Sequence, residues 1–382
     1  MREVNPFVPG AGLPPPYLGG RDAEQEVFLQ ALKALEAGVP TGPIVMYGPR
    51  GMGKTTLLGW IGEQCRNLTP SITCISSSPS SSDIQGNLPA LLLPRSTISV
   101  EILAKFSIIS AIWKKKKIDH SGLAKALAKE CRRTPRILLM DEAHTMEPDA
   151  CRTLVNVAQE TASKAPFLLV LAGTPGLDQL LRESKATHIE RAEFMGIGPI
   201  STEAAKDAIR IPMEAEGVQV SDDLLEEVAK DSQCYPFFVQ RWGKALWRVA
   251  KDNDLTELDM SSKAVVSPTV EEEREQFYER RYRGMVKDSA LMAAATAVGK
   301  LLQEHGKAES LEILKVIESA LHDDISNKQE RKEKALELEV ALNRIDYIWC
   351  RPGAEKFEPG ISSFMTYLQE RYARRDAASN QG

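Results

Sequence analysis

Residues 48–55 are Gly-Pro-Arg-Gly-Met-Gly-Lys-Thr, and this octapeptide constrains the fold more than any other segment of the chain. It matches the pattern G-x-x-x-x-G-K-[ST], whose glycines let the backbone wrap closely around phosphate groups. A short apolar run at 44–47 precedes it, and a stretch with helical character at 55–65 follows it. Strand, glycine-rich turn and helix in this order predict a phosphate-binding loop.

The loop predicts a nucleotide site made of consecutive residues. Glycines 48, 51 and 53 allow successive N–H groups to face phosphate oxygens. Lys54 is expected to neutralise the β and γ phosphates, and Thr55 to offer its hydroxyl to Mg²⁺. The alternative is a glycine turn beside a solvated lysine. The predicted nucleotide-binding residues here are Gly48, Pro49, Arg50, Gly51, Met52, Gly53, Lys54, Thr55 and Thr56.

A second motif, Ile-Leu-Leu-Met-Asp-Glu-Ala-His at 137–144, places two carboxylates after an apolar strand. Ligands bind at the carboxyl ends of strands in open α/β sheets. We therefore predict that Asp141 holds hydrated Mg²⁺ and that Glu142 polarises the attacking water. The alternative for such an acidic pair is a helix N-cap. His144 is interpreted as a histidine on a surface helix.

The remaining pattern predicts the architecture. Apolar runs at 72–75, 137–140 and 167–172 alternate with helical segments, which indicates a parallel sheet covered on both faces. From 201 onward the pattern is helical, with segments at 201–216, 221–230 and 236–251 and with Ser201 and Ser221 as N-caps. A β-hairpin or wing is expected near 349–357. The prolines and glycines of residues 5–20 predict an entry arm outside any core.

With both motifs in place, the chain resembles the AAA+ class of P-loop ATPases, in particular the Orc1/Cdc6-like and STAND-like ATPases of bacteria and archaea. The resemblance covers about residues 5–255 well and the remainder weakly. The expected fold is an α/β P-loop NTPase of the ASCE type, with a parallel-sheet core, an all-α lid and a C-terminal helical domain of degenerate winged-helix type. The expected segments are an arm at 1–20, a core at 21–200, a lid at 201–265 and the C-terminal domain at 270–382.

The resemblance implies two further site residues in the core. Thr174 stands at the end of a strand similar to the sensor 1 strand, where the alternative is a threonine that caps the turn before Pro175. Arg191 stands in a segment similar to the one that carries the arginine finger, with Arg182 as the second candidate. The alternative for Arg191 is a surface ion pair with Glu190 or Glu193.

The segment 232–242 resembles the lid motif G-x-P, with Pro236 expected to pack on the nucleotide at a helix start. Two positions depart from the family pattern. Cys234 replaces the usual glycine, and Phe237 stands nearest to the place of the sensor 2 arginine. The aromatic residues of this segment are alternatively core residues.

The net charge and its distribution along the chain indicate which partners to expect. The net charge of −5 argues against a nucleic-acid coat protein, yet residues 113–136 hold nine Lys or Arg against two acidic residues. This strip contains Lys114, Lys115, Lys116 and Lys117 and predicts possible contact with DNA, against the alternative of a solvated helix face. Residues 271–382 hold 18 basic and 21 acidic residues, which favours a protein partner for that domain over groove binding.

The sequence thus predicts an ATPase that uses ATP and Mg²⁺, forms a homo-oligomer and acts on DNA or a partner protein. The alternative function is a STAND-type regulatory or defence switch that does not bind DNA directly. Six scattered cysteines without a C-x-x-C pair argue against a zinc site and a disulfide framework. No apolar run approaches the roughly 20 residues that a membrane span needs, so a cytoplasmic protein without a membrane partner is expected.

Overall fold

The structure is a computed structural model, which describes residues 4–10, 15, 17–67, 72–78, 92–93, 120–322 and 324–379. It divides into two compact units. The core unit comprises Arg21–Tyr47 and Lys54–Ile197, and the C-terminal unit comprises Met1–Gly20, Gly48–Gly53 and Gly198–Gly382. Within the described residues, no helix is both long enough and apolar enough to cross a membrane.

The core unit is built on a five-stranded parallel sheet in the order β2-β3-β4-β1-β5. Its strands are β1 (Ile44–Tyr47), β2 (Thr73–Ser77), β3 (Arg136–Met140), β4 (Phe167–Gly173) and β5 (Glu193–Gly196). Every residue of β1, β3 and β4 is buried, because helices cover both faces of the sheet. The carboxyl ends of these central strands lie at one edge, where the glycine-rich loop follows β1 and the acidic pair follows β3.

Helices and 3₁₀ turns connect the strands. They are α1 (Asp22–Glu36), α2 (Lys54–Asn67), α3 (His120–Cys131), α4 (Pro148–Ala162) and α5 (Gly176–Glu183), with 3₁₀ turns at Ala143–Thr145 and Thr187–Arg191. Helix α4 shows how sequence determines packing. Pro148 occupies its first turn, where no N–H partner is needed, and its apolar face is buried in the unit.

The C-terminal unit begins with the lid helices α6 (Thr202–Glu214), α7 (Asp222–Asp231) and α8 (Pro236–Asp252), and β6 (Gln219–Val220) pairs with β7 (Glu257–Leu258). The Ser201 and Ser221 side chains accept hydrogen bonds from the backbone N–H groups of Ala204 and Leu224. Both predicted N-caps are therefore confirmed. Phe7 is buried in the lid core, so the expectation that the arm lies outside any core is wrong.

The rest of this unit contains α9 (Met260–Met285), α10 (Ser289–His305), α11 (Ser310–Ala320), α12 (Lys328–Arg344) and α13 (Ser362–Ser379). Helix α9 runs without interruption through positions 265–270, which lie between the expected lid and the expected C-terminal domain. Strands β8 (Ala308–Glu309), β9 (Ile348–Cys350) and β10 (Lys356–Pro359) form an antiparallel sheet in the order β8-β10-β9. The predicted hairpin is confirmed by the pairing of β9 with β10, and these helices agree with the expected C-terminal helical domain.

Sequence patterns missed the shortest strands. Four short strands, β5, β6, β7 and β8, were not predicted. Two residues carry too little periodicity to distinguish a strand from a loop, and β5 lacks the continuous apolar run that indicated β1. The four lysines at 114–117 lie outside the described residues. The structure describes residues 120–136 of the basic strip. In this part, Arg136 is buried and pairs with Glu130 at 3.6 Å, so it belongs to the interior of the core unit.

Candidate nucleotide site

The glycine-rich loop connects β1 to α2 and is shaped by two glycines. Gly51 and Gly53 have φ angles of +87° and +89°, in the left-handed region that side-chain-bearing residues avoid. A Cβ atom on Gly51 would also lie 2.7 Å from Cε1 of Tyr235, within the same unit. Gly51 is therefore required twice, by its backbone angle and by this close approach.

Helix α2 begins with the two residues predicted to hold phosphate and metal. Lys54 is buried at its first position, although lysine is rarely buried without a functional or structural partner. The Thr55 hydroxyl donates a hydrogen bond of 2.7 Å to Oδ2 of Asp141 at the end of β3. The fold thus brings together two predicted metal ligands that are 86 positions apart in the chain.

The two carboxylates after β3 have different environments. Oδ1 of Asp141 accepts a hydrogen bond of 2.8 Å from the backbone N–H of Glu142, so both oxygens of Asp141 are used. Glu142 has a φ of +50°, which is unfavourable for a residue with a side chain. Such backbone strain is concentrated at functional sites, where surrounding structure holds it in place.

His144 is not a histidine on a surface helix, so that interpretation is wrong. It lies in the 3₁₀ turn Ala143–Thr145, with only 9% of its side chain exposed. Its Nε2 lies 3.5 Å from Oε2 of Glu142. Its Nδ1 accepts a hydrogen bond of 3.3 Å from the backbone N–H of Thr174. His144 therefore connects the turns that follow β3 and β4.

The Nδ1 contact also defines the tautomer of His144. A ring nitrogen that accepts from a backbone N–H carries no proton, so the proton of the neutral ring is on Nε2 and faces Glu142. The sequence contained one signal for the contact of His144 with Glu142, namely that the two residues are two positions apart. That spacing did not reveal the partner at Thr174, which is 30 positions away.

Thr174 lies at the end of β4 and is completely buried. Its hydroxyl has no hydrogen-bond partner among the described residues. A buried hydroxyl without a partner is unfavourable by about 1–3 kcal/mol, so this one is suited to a polar ligand. Thr174 does not cap the next helix with its side chain, because the N-cap of α5 is Pro175.

The lid motif starts α8 with the expected geometry. Pro236 is at the beginning of the helix and Tyr235 is its N-cap residue. Cys234 has a φ of +53°, which explains why glycine is favoured at this position. Burial raises the pKa of the Tyr235 hydroxyl, whose ring lies beside Gly51.

The lid aromatics and Arg241 contribute to packing. Phe238 is buried, as expected for a core residue. Arg241 lies 2.9 Å from Glu273 and 5.0 Å from the centre of the Phe237 ring. This arginine is therefore engaged within its own unit, and no sensor 2 arginine was predicted at Phe237.

The two candidate finger arginines are both exposed. Arg182 forms an ion pair of 2.8 Å with Asp178, one turn earlier in α5. Arg191 ends the 3₁₀ turn Thr187–Arg191 immediately before β5. Among the described residues it forms no ion pair with Glu190 or Glu193, the alternative partners predicted for it.

The oxygen-rich end of β3 fits a magnesium ion. Mg²⁺ is bound through one or two carboxylates and hydroxyl or water oxygens, and Thr55 and Asp141 present such oxygens side by side. Within the described residues there is no group of three or more His, Cys, Asp or Glu side chains able to hold a metal. The chemistry of the donors therefore suits a metal that also takes ligands from a phosphate.

Comparison with known proteins agrees with this geometry. Residues 39–181 match a family described as an AAA domain. A search of curated proteins found no match. Residues 39–181 are therefore similar to an AAA domain, and the fold of the chain is similar to that of P-loop ATPases of the Orc/Cdc6-like group.

Three solved structures illustrate this fold. The ORC2 protein of Aeropyrum pernix, in ADPNP and ADP complexes, has 13% sequence identity and a TM-score of 0.59, covering 96% of this chain and 97% of its own. Its ADP form has 13% identity and a TM-score of 0.57, covering 94% and 95%. A Walker-type ATPase of Pyrococcus abyssi has 15% identity and a TM-score of 0.52, covering 92% and 96%.

Proposed function

We propose that this protein binds ATP with Mg²⁺ and hydrolyses it. The observation that carries the proposal is the hydrogen bond of 2.7 Å between Thr55 and Asp141, because it joins the phosphate loop's helix to the carboxylates after β3. The ORC2 protein of Aeropyrum pernix, with the same fold, was solved with ADPNP and ADP. A bound Mg²⁺ on Thr55 and Asp141 supplies positive charge to the phosphates.

In the proposed reaction, water attacks the γ phosphorus in line with the leaving β-phosphate oxygen. Glu142 accepts a proton from that water, and His144 holds the Glu142 carboxylate in place. The Thr174 hydroxyl is available to bind the γ phosphate or the water. Lys54 and the N–H groups of the loop stabilise the negative charge.

The test is release of inorganic phosphate from ATP by the purified protein. Lys54→Ala and Glu142→Gln are each expected to reduce turnover by at least about 100-fold, because positioning and charge provide most of the catalysis. Glu142→Gln should retain nucleotide binding. Lys33→Ala and Glu147→Gln, which change exposed residues of the same types, should leave turnover unchanged. Full turnover in both site variants contradicts the proposal.

We propose further that hydrolysis is coupled to homo-oligomer assembly or to a change in lid position, with Pro236 packing on the nucleotide and Arg191 acting on a neighbouring subunit. An always-charged planar guanidinium suits a transition state with charge spread over the γ oxygens. The exposed position of Arg191 and its lack of an ion pair among the described residues support this choice over Arg182.

The partner is either DNA, through the lysines at 114–117, or a protein. One surface favours the protein partner of the STAND-type alternative. Helix α12 exposes Leu336 and Val340, four positions apart and hence on one face. Exposed neighbouring apolar residues are typical of protein contacts. A DNA-reading helix instead presents basic and polar residues to the groove.

DNA binding measured over a salt series, with and without ATP, distinguishes the two. Binding that weakens steeply with salt and depends on ATP supports the DNA-associated ATPase. Substituting the four lysines at 114–117 by glutamine should then reduce both the affinity and its salt dependence. Absence of salt-sensitive binding leaves the protein partner, which Leu336→Lys should disrupt without affecting ATP turnover.

A further inference from the structure

The phosphate loop is tied to a turn of the C-terminal unit through Arg50. The backbone N–H of Arg50 donates a hydrogen bond of 3.2 Å to Oδ2 of Asp346. The Nη1 atom of the Arg50 guanidinium lies 3.5 Å from the same carboxylate oxygen. Residues 48–53 and Asp346 belong to the same compact unit, although they are almost 300 positions apart in sequence. None of the predicted site roles uses Asp346.

Several local contacts define the conformation of the turn that carries Asp346. Asp346 follows α12 with a φ of +62°, in the left-handed region, and its side chain is fully buried. The N–H of Tyr347 donates to the carbonyl of Leu342, which closes the helix end. A Cβ atom on Gly360 would lie 1.7 Å from the Asp346 carbonyl oxygen, so only glycine fits beside this turn.

A buried carboxylate needs hydrogen bonds and compensating charge, and Arg50 contributes both. The same two contacts restrict the position of the loop at Arg50, between Pro49 and Gly51. Gly51 and Gly53 have their left-handed backbone angles while the contact is present. The Asp346 contact is therefore compatible with the wrapped loop. A loop held in its binding conformation loses less conformational entropy when a ligand binds.

We propose that Asp346 is a positioning residue of the phosphate loop, through which the C-terminal region increases nucleotide affinity. This inference rests on the proposed ATP binding. Asp346 acts through Arg50 and is not assigned any contact with the nucleotide. Because coupling is reciprocal, nucleotide on the loop in turn stabilises the attachment of the turn at Asp346.

The test is a double-mutant cycle in the full-length protein, with Kd for a fluorescent ATP analogue and kcat measured separately. Asp346→Asn keeps an oxygen for the Arg50 N–H, tolerates the left-handed angle and loses the ion pair. Asp346→Ala loses both contacts. We expect about threefold weaker binding for Asp346→Asn and about tenfold for Asp346→Ala, with kcat within about twofold of wild type.

The Arg50→Ala background separates the two contacts. In it, Asp346→Asn should cause no further loss of affinity, because the ion pair with Arg50 is already absent. Asp346→Ala should still weaken binding, because the backbone N–H of residue 50 loses its acceptor. Asp324→Asn, the same change at an exposed residue of the same region, is the control and should match wild type. Melting temperatures establish that each variant is folded.

Unchanged or tighter nucleotide binding by Asp346→Asn overturns the inference, as does an equal loss in the Arg50→Ala background. If Asp346→Ala does not fold, the cycle of Asp346→Asn with Arg50→Ala decides alone. Wild-type protein that binds no nucleotide, like Lys54→Ala, refutes the proposed function and the inference with it. Wild-type binding that is lost in Lys54→Ala but unaffected at position 346 refutes the inference alone.

Discussion

At the scale of single residues, the candidate site contains residues with unusual backbone angles and one histidine whose side chain is mostly buried. Glu142 and Cys234 both have φ angles near +50°; Glu142 belongs to the acidic pair after β3, and Cys234 lies in the lid motif. His144 is held between Glu142 and the Thr174 backbone. Two predictions follow from them: the one for His144 concerns turnover, and the one for Cys234 concerns only stability.

His144 is expected to orient Glu142 without contributing to nucleotide binding. His144→Ala should lower kcat by about tenfold and leave the Kd for nucleotide unchanged, because the contact is to the carboxylate that we propose activates water. His144→Gln, which can donate a hydrogen bond to Glu142, should recover part of kcat. Steady-state phosphate release and nucleotide titration measure the two quantities.

The control for that experiment is His305→Ala, which removes an exposed histidine at the end of α10. Its kinetics should equal those of the wild type. A His144→Ala variant with normal kcat, or one whose only defect is weaker binding, contradicts a role in orienting Glu142.

The protein is expected to be less stable with cysteine at position 234 than with glycine there. The left-handed conformation is unfavourable for side-chain-bearing residues by roughly 1–2 kcal/mol. Cys234→Gly should therefore raise the free energy of unfolding by about 1 kcal/mol, after the greater flexibility of glycine in the unfolded chain is subtracted. Denaturant titration checks this. Cys234→Ala, which retains a Cβ atom, should give no gain, and equal stability of the two variants would refute the explanation.

At the scale of elements, helices α9 and α13 are joined by one carboxylate. Oε2 of Glu279 in α9 accepts hydrogen bonds from Tyr367 at 2.8 Å and Arg371 at 2.7 Å in α13. Oε1 accepts from Arg283 one turn later in α9. These hydrogen bonds, with that from Tyr367 the largest contribution, lower the pKa of Glu279 to about 2.

The lowered pKa predicts how stability depends on pH. A carboxyl whose pKa is lower in the folded state stabilises it above the unfolded pKa of about 4.3, and this contribution is lost as the pH falls towards about 2. Glu279→Gln should therefore melt at a lower temperature than wild type at pH 7. The difference should shrink steadily between pH 4.5 and 2.

Thermal unfolding at several pH values measures this difference. Glu275→Gln, an exposed change one turn earlier in α9, should show little difference from wild type at any of them. A gap between Glu279→Gln and wild type that persists unchanged to pH 2 would show that the ionised carboxylate is not what joins the helices.

At the scale of the whole molecule, the question is whether one chain forms a complete site. We expect Arg191 to act on the γ phosphate of a neighbouring copy. Arg191→Ala should then lower kcat without affecting nucleotide affinity. Equal amounts of Arg191→Ala and Glu142→Gln, each inactive alone, should recover about one quarter of wild-type turnover, because random assembly pairs an intact carboxylate with an intact neighbouring arginine in that share of sites.

Arg182→Ala serves as the comparison, since its ion pair with Asp178 is local to α5. A mass that remains monomeric with ATP, or a mixture without recovered activity, contradicts a finger role for Arg191. Recovery with Arg182→Ala and not with Arg191→Ala would instead identify Arg182 as the arginine that acts between subunits.

The local features of the site followed from the sequence. The phosphate loop, the acidic pair after β3, the strand β1 at 44–47 and the caps Ser201 and Ser221 all depend on contiguous residues, whose backbone preferences and periodicity are visible in one sequence. The glycines at 51 and 53 are a clear case, because their left-handed angles are a property of the loop itself. The fold class followed from these local motifs and from their resemblance to a known family.

Only the tertiary structure determined which distant residues meet. The environment of His144 is set by the Thr174 backbone, the burial of Phe7 by the lid core and the carboxylate at Arg50 by a turn after α12. Such contacts depend on the packing of whole elements, and no periodicity or spacing encodes them. The sequence by itself determined the glycine-rich loop and its left-handed positions, whereas the tertiary structure decided that Asp346 contacts this loop, because only folding brings a buried carboxylate to Arg50.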